Sequence, residues 1–168
     1  MFARYFMIFA VLLVAGCSSS DKGELEATEG QDLMASDMEG VYVEDQMGAA
    51  PGTKNDFVVN VGDRVLFGYD SYELSPESRM VLDNQAAWLA QYPAIAVSIE
   101  GHADERGTRE YNLALGERRA NAVKNYLVAL GVSPSRVSTV SYGKERPAVP
   151  GANESAWAQN RRSVTDVQ

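Results

Sequence analysis

Between Ile99 and Val123 the chain reads IEGHADERGTREYNLALGERRANAV, an order of residues that few folds accommodate. An apolar strand ends at Ile99, a polar loop punctuated by Gly101 and Gly107 follows, and a long helix begins near Thr108. A strand feeding straight into a helix needs a second layer to cover its apolar face, which points to a layered α/β domain. Asp104 lies in the loop, and Asn112 and Arg119 lie on the helix. Their separation is nearly two turns at about 3.6 residues per turn, so Asn112 and Arg119 share a helix face. An acceptor, an amide and a fork-shaped cation can then converge on one ligand. Such a trio suits the zwitterionic head of an amino acid, with Asp104 taking the ammonium and Arg119 the carboxylate. The spacing alone fits a structural Asp–Arg pair, or two separate solvated charges, at least as well.

The surrounding sequence extends the alternation. Arg64 to Phe67 reads as a short strand closed by Gly68, Tyr69 and Asp70. Ser75-Pro76-Glu77 opens a helix, with Ser as N-cap, Pro at the first helical position and Glu at the positive end of the dipole. Val81, Leu82, Ala86 and Leu89 give this helix an apolar stripe, and Pro93 lies just beyond its end. A second strand is expected over Ala94 to Ile99. In the long helix that follows, Leu113, Ala120, Val123, Leu127 and Leu130 are expected to be buried, and Gly131 stops it. Ser133-Pro134 starts a short turn, Val137 to Tyr142 reads as a strand, Glu154 to Gln159 as a brief helix and Arg162 to Val167 as the last strand. The order βαβαβ(α)β predicts a two-layer α/β sandwich with helices packed on one sheet, and leaves the strand order open.

The N-terminal third has a different character. Met1 to Gly16 combines Arg4 with an apolar run over Tyr5 to Val14, too short to span a bilayer, which needs roughly 20 residues. Small residues Ala15 and Gly16 then precede Cys17, the only cysteine. Leu13-Val14-Ala15-Gly16-Cys17 resembles the bacterial lipobox, in which the cysteine is lipidated and becomes the mature N-terminus. With Ser18 rather than aspartate next, that resemblance implies sorting to the outer membrane. Three acyl chains exceed the marginal binding that one chain gives. Ser18 to Asp56 carries ten acids against Lys22 and Lys54 and no sustained apolar period, so it reads as a flexible acidic tether, with Val41-Tyr42-Val43 a faint apolar spot. The expected organisation is therefore a signal peptide over 1–16, a lipidated cysteine and tether over 17–56, and a folded domain over 57–168.

The formal charge of −8 argues against a nucleic-acid partner, and it resides in the tether, because the expected domain holds 13 acids and 12 bases. One histidine, His102, and no cysteine beyond Cys17 leave no Ser-His-Asp set and no His-rich metal site. Glu100 and Asp104, four residues apart across a strand end, are expected to point in different directions rather than form a glycosidase pair. His102 reads as a structural hydrogen-bonding residue. No cofactor is implied.

Gly101 to Leu127, GHADERGTREYNLALGERRANAVKNYL, resembles the signature of the OmpA-like peptidoglycan-binding family, and the resemblance extends over roughly Val65 to Val164. It implies a mixed four-stranded sheet with helices over it. It also implies that Asp104 and Arg119 grip the diaminopimelate of the peptidoglycan stem peptide, with Asn112, Asp70 and Arg161 in support. Arg118, Arg106 and Arg109 read as surface or solvated rim charges. For the lipid-anchored members of the family, the resemblance implies Tol proteins, TolB among them, as partners. Two departures stand out: Arg109 where the family often has proline, and a last strand, Val164 to Gln168, more polar than usual and so expected to pair weakly at an edge. A cell-wall hydrolase or accessory factor is the rival reading.

Overall fold

The computed structural model describes residues 49–168; the expected signal peptide, Cys17 and most of the expected tether lie outside them. The tether was expected to run through Asp56, but its last residues are packed on the domain. Thr53 caps a short helical turn, α1 (Lys54–Asp56), which passes into a π turn over Phe57–Val61. Asp56 is buried and accepts hydrogen bonds from Gly52 N at 2.9 Å, Asn60 Nδ2 at 2.8 Å and Trp88 Nε1 at 2.8 Å. Phe57 sits edge-on to Trp88 in the core. An acidic, glycine-flanked sequence hid this because the carboxylate's partner is an indole 32 positions away.

β1 (Arg64–Leu66) leads to α2 (Pro76–Gln91), whose Ser75 cap accepts from Ser78 N as the sequence predicts. Leu82, Ala86 and Leu89 are buried together with Trp88. Gln85 is also fully buried, and both ends of its amide are used, Nε2 donating to Gly62 O at 2.7 Å and Oε1 accepting from Thr165 Oγ1 at 2.9 Å. β2 occupies Val97–His102, three residues later than expected at its start. Pro93 and Ala94 belong to a turn in which Ile95 N bonds to Tyr92 O, so the chain reaches the sheet only afterwards.

α3 (Arg109–Ala129) starts at the Thr108 cap. Its buried positions are Asn112, Leu115, Gly116, Arg119, Ala120, Val123 and Leu127, whereas Leu113 and Leu130 are exposed, contrary to the stripe expected from apolar residues alone. The buried face carries a polar upper half, and Leu113 lies about 100° round the helix from Asn112. β3 (Val137–Gly143) follows a short 3-10 turn, and α4 (Glu154–Asn160) leads into β4 (Arg162–Val167).

The sheet order is β1-β4-β2-β3, with β2 and β3 parallel and β4 antiparallel to both β1 and β2. The polar last strand therefore lies inside the sheet with neighbours on both sides, not at an edge. Its polarity is tolerated because both backbone edges are paired and Thr165 bonds to Gln85. The core joins Val65, Val97, Ile99 and Val137 of the sheet to Leu82, Leu89, Ala120, Val123 and Leu127 of the helices. α3 packs on β2 with Gly116 directly against Gly101, so close that a Cβ on Gly101 would meet the Gly116 backbone.

Candidate functional site

At the end of the sheet where β1 and β2 finish, the loops leaving both strands and the start of α3 enclose an open cavity of about 220 Å³. Tyr69, Asp70, Asp104, Arg106, Gly107, Tyr111, Asn112, Leu115 and Arg119 line it. The residues that sequence spacing singled out, Asp104, Asn112 and Arg119, are thus brought together, and Asp70 joins them from the β1 loop.

Arg119 is among the residues around the cavity but is itself fully buried, at 0% relative exposure. Its Nε donates to Ser71 O at 2.8 Å, Nη1 to His102 O at 2.7 Å and Nη2 to Gly68 O at 3.2 Å. A guanidinium has five N–H donors, so two are not used by these three carbonyls. Burial pulls its pKa down to about 10, partly countered by Asp104, and it stays charged at neutral pH. The side chain also ties the β1 loop to the end of β2, a structural duty the spacing did not reveal.

Asp104 is 5% exposed and does not bond to Arg119. Its Oδ1 accepts from Arg106 N at 3.1 Å and Nε at 3.3 Å, and its Oδ2 from Arg106 Nη2 at 2.7 Å and Arg161 Nη1 at 3.5 Å. Burial pushes the carboxyl up, but these hydrogen bonds outweigh it and hold the group below its ordinary range. Arg106, expected as a solvated rim charge, instead lies between the rings of Tyr69 at 4.3 Å and Trp157 at 4.1 Å. Only the short spacing to Asp104 hinted at this, because both aromatic partners come from distant segments.

The other residues divide. Asn112 Nδ2 donates to Arg106 O at 2.8 Å and Thr108 O at 3.1 Å, which closes the loop onto the helix. Asp70 has φ 51, a left-handed conformation uncommon outside glycine, and its carboxylate accepts from the Tyr111 hydroxyl. Arg161 is buried behind Asp104, outside the lining, and spends its donors on Phe67 O, Glu154 and Asp104. Arg118 is exposed, and Arg109 forms a solvent-facing pair with Glu145 at 3.2 Å, as a rim charge would.

His102 departs from expectation. Its carbonyl holds Arg119, but among the described residues its ring, 1% exposed, finds no hydrogen-bond partner at either nitrogen. Tyr142 lies against the ring with centroids 5.6 Å apart, and Glu100 Oε2 is 3.5 Å from Nε2. Burial, reinforced by the charges of Arg162 and Arg146, pushes its pKa down to about 4. A depressed folded-state value means that the unfolded chain binds the proton more readily. This contribution to stability is therefore complete above about pH 6.5, erodes as pH falls, and is gone below about pH 4. Urea midpoints measured from pH 7 to pH 4 are expected to fall in the parent and to fall less in His102→Gln. Equal slopes would show that the imidazole does not drive the loss.

A mixed β1-β4-β2-β3 sheet covered by helices, with a charged cavity at the β2–α3 junction, defines a recognisable class, and the sequence profile of the OmpA family matches residues 66–161. The chain belongs to that family. Within it, the chain is 46% identical over 160 residues to the peptidoglycan-associated lipoprotein of Mesorhizobium japonicum, covering 95% of this chain and 88% of that one. To the protein of the same name from Rhizobium meliloti it is 56% identical over 117 residues, covering 70% of this chain and 66% of that one. The crystal structure of the peptidoglycan-associated lipoprotein from Burkholderia pseudomallei superimposes with a TM-score of 0.62 at 43% identity, covering 63% of this chain and 90% of that one. The C-terminal domain of Helicobacter pylori MotB shares the fold at 21% identity and a TM-score of 0.58, covering 63% of this chain and 84% of that one.

Proposed function

We propose that this chain is an outer-membrane lipoprotein that binds peptidoglycan non-covalently and ties the membrane to the wall. The observation that carries the reading is the placement of Asp104 and Arg119 in one cavity, in a chain similar along most of its length to proteins named peptidoglycan-associated lipoprotein. The ligand is the free end of uncrosslinked meso-diaminopimelate, where an ammonium and a carboxylate share one carbon. Asp104 receives the ammonium, and the two uncommitted N–H groups of Arg119 receive the carboxylate. Asn112 and Asp70 hold the loop and rim around it, and Arg161 supports Asp104 from behind. Cys17 carries the lipid, residues 18–48 give reach, and Tol proteins, TolB among them, are the protein partners. Each charge-assisted contact contributes on the order of 1.5–3 kcal/mol before desolvation, so one domain binds moderately and many anchored copies supply avidity.

The test is co-sedimentation of the full chain, in detergent, with purified sacculi, alongside Asp104→Asn, which keeps the shape of the side chain and removes its charge. The parent is expected to pellet and the variant to lose roughly tenfold or more in affinity, with no fragments released into the supernatant. Equal pelleting of both proteins sinks the assignment of Asp104. Soluble muropeptides in the supernatant would replace binding with hydrolysis.

A further inference from the structure

The Asp104 carboxylate is already paired with a cation. Arg106 reaches it through two side-chain nitrogens at 3.3 and 2.7 Å, and the same residue's backbone N–H holds Oδ1 at 3.1 Å. The guanidinium is clamped between Tyr69 and Trp157 and sits 3.8 Å from Glu154. It is also part of the cavity wall, so it lies where an incoming ammonium must go. Arg161 touches the same oxygen from the buried side and cannot be reached from the cavity.

From this geometry we infer that Arg106 is a built-in competitor for the ligand's ammonium, and that its displacement from Asp104 makes the site selective for a zwitterion. The inference rests on the stem-peptide reading above. A tethered guanidinium competes at a high effective concentration, whereas a free ligand gives up translational freedom on binding. A lone amine therefore has too little to gain from replacing Arg106. A lone carboxylate leaves Arg106 in place and finds only the two free donors of Arg119. A ligand carrying both charges on one carbon gains Arg119 and Asp104 together, and that second foothold turns out the resident cation. When it leaves, the faces of Tyr69 and Trp157 are uncovered beside the bound peptide.

Two soluble probes test this: a stem tripeptide ending in meso-diaminopimelate, and the same tripeptide ending in lysine, which has the ammonium without the distal carboxylate. Affinities are measured for the full chain in detergent, for Arg106→Ala and for Arg106→Lys. The lysine variant keeps the charge but loses the flat fork and its stacking. Trp157 emission supplies an independent readout, with Trp157→Phe identifying its share against the buried Trp88. Arg106→Ala is expected to bind the diaminopimelate peptide about tenfold more tightly, and to narrow the preference over the lysine peptide by about tenfold. Arg106→Lys is expected to fall between, and parent emission to change on saturation. Weaker binding by Arg106→Ala, unchanged preference, or silent Trp157 emission overturns the competitor role while leaving the stem-peptide reading intact. A parent protein that binds neither peptide removes both.

Discussion

Arg119→Ala is expected to destabilise the domain by about 3–5 kcal/mol as well as abolish ligand binding. The guanidinium is fully enclosed and satisfies the carbonyls of Gly68, Ser71 and His102. Removing it leaves three acceptors and a cavity where the β1 loop meets the end of β2. Arg119→Lys should recover little, because one ammonium cannot reach three carbonyls set around a planar fork. Urea denaturation at neutral pH measures the loss, which is a large share of the roughly 5–15 kcal/mol typical of a domain. A change below about 1 kcal/mol would mean that water takes over those carbonyls, and that Arg119 is not the pin the geometry describes. Loss of wall binding in an Arg119 variant is therefore ambiguous by itself, and Asp104→Asn is the cleaner probe of the site.

Gly101→Ala should be comparably damaging for a different reason. A Cβ there would fall inside the envelope of the Gly116 carbonyl oxygen and 2.5 Å from its carbonyl carbon. Both obstacles are backbone, so no side chain can turn aside, and α3 must retreat from β2 or break its own hydrogen bonding. Overpacking costs about 1–3 kcal/mol where side chains can adjust; with two backbones opposed, about 3 kcal/mol or more is expected. For a domain of this size that lowers the melting temperature by roughly 10 °C. The retreat also draws Arg119 from His102 O, so ligand binding should weaken in whatever fraction still folds. Gly116→Ala meets the Ser141 hydroxyl as well as Gly101 O at 2.8 Å, and part of that obstacle can rotate. A melting point for Gly101→Ala within about 2 °C of the parent would show that the two elements are not in rigid contact.

Much of the site could be read from the chain because it is built on a strand–loop–helix unit with local signals. Thr108 caps α3 as predicted, and Asn112 and Arg119 fall on one face because helical geometry repeats every few residues. The cavity collects these two with Asp104 and Asp70. Arg106 was misread because its environment is supplied by Tyr69 and Trp157, each tens of residues away in the chain. The His102 ring was misread as hydrogen-bonded because nothing in its neighbours announces a buried imidazole without partners. Leu113 and Leu130 were placed in the core on hydropathy alone, whereas the buried face of α3 carries Asn112 and Arg119, whose polar groups are satisfied by backbone carbonyls.

By itself the sequence determined α2, α3 and α4, the Ser75 and Thr108 caps of the first two, the alternation of strands with them, and the helix face that bears Asn112 and Arg119. Those features depend on contacts within about four residues, where side-chain period and capping chemistry act directly. The tertiary structure alone decided that the polar last strand lies between β1 and β2, that Asp56 closes onto Trp88, and that Arg106 sits on Asp104. Each of these is a pairing between groups distant in the chain. A buried polar group is tolerated according to the partner it meets, and which partner arrives is settled only when the layers pack.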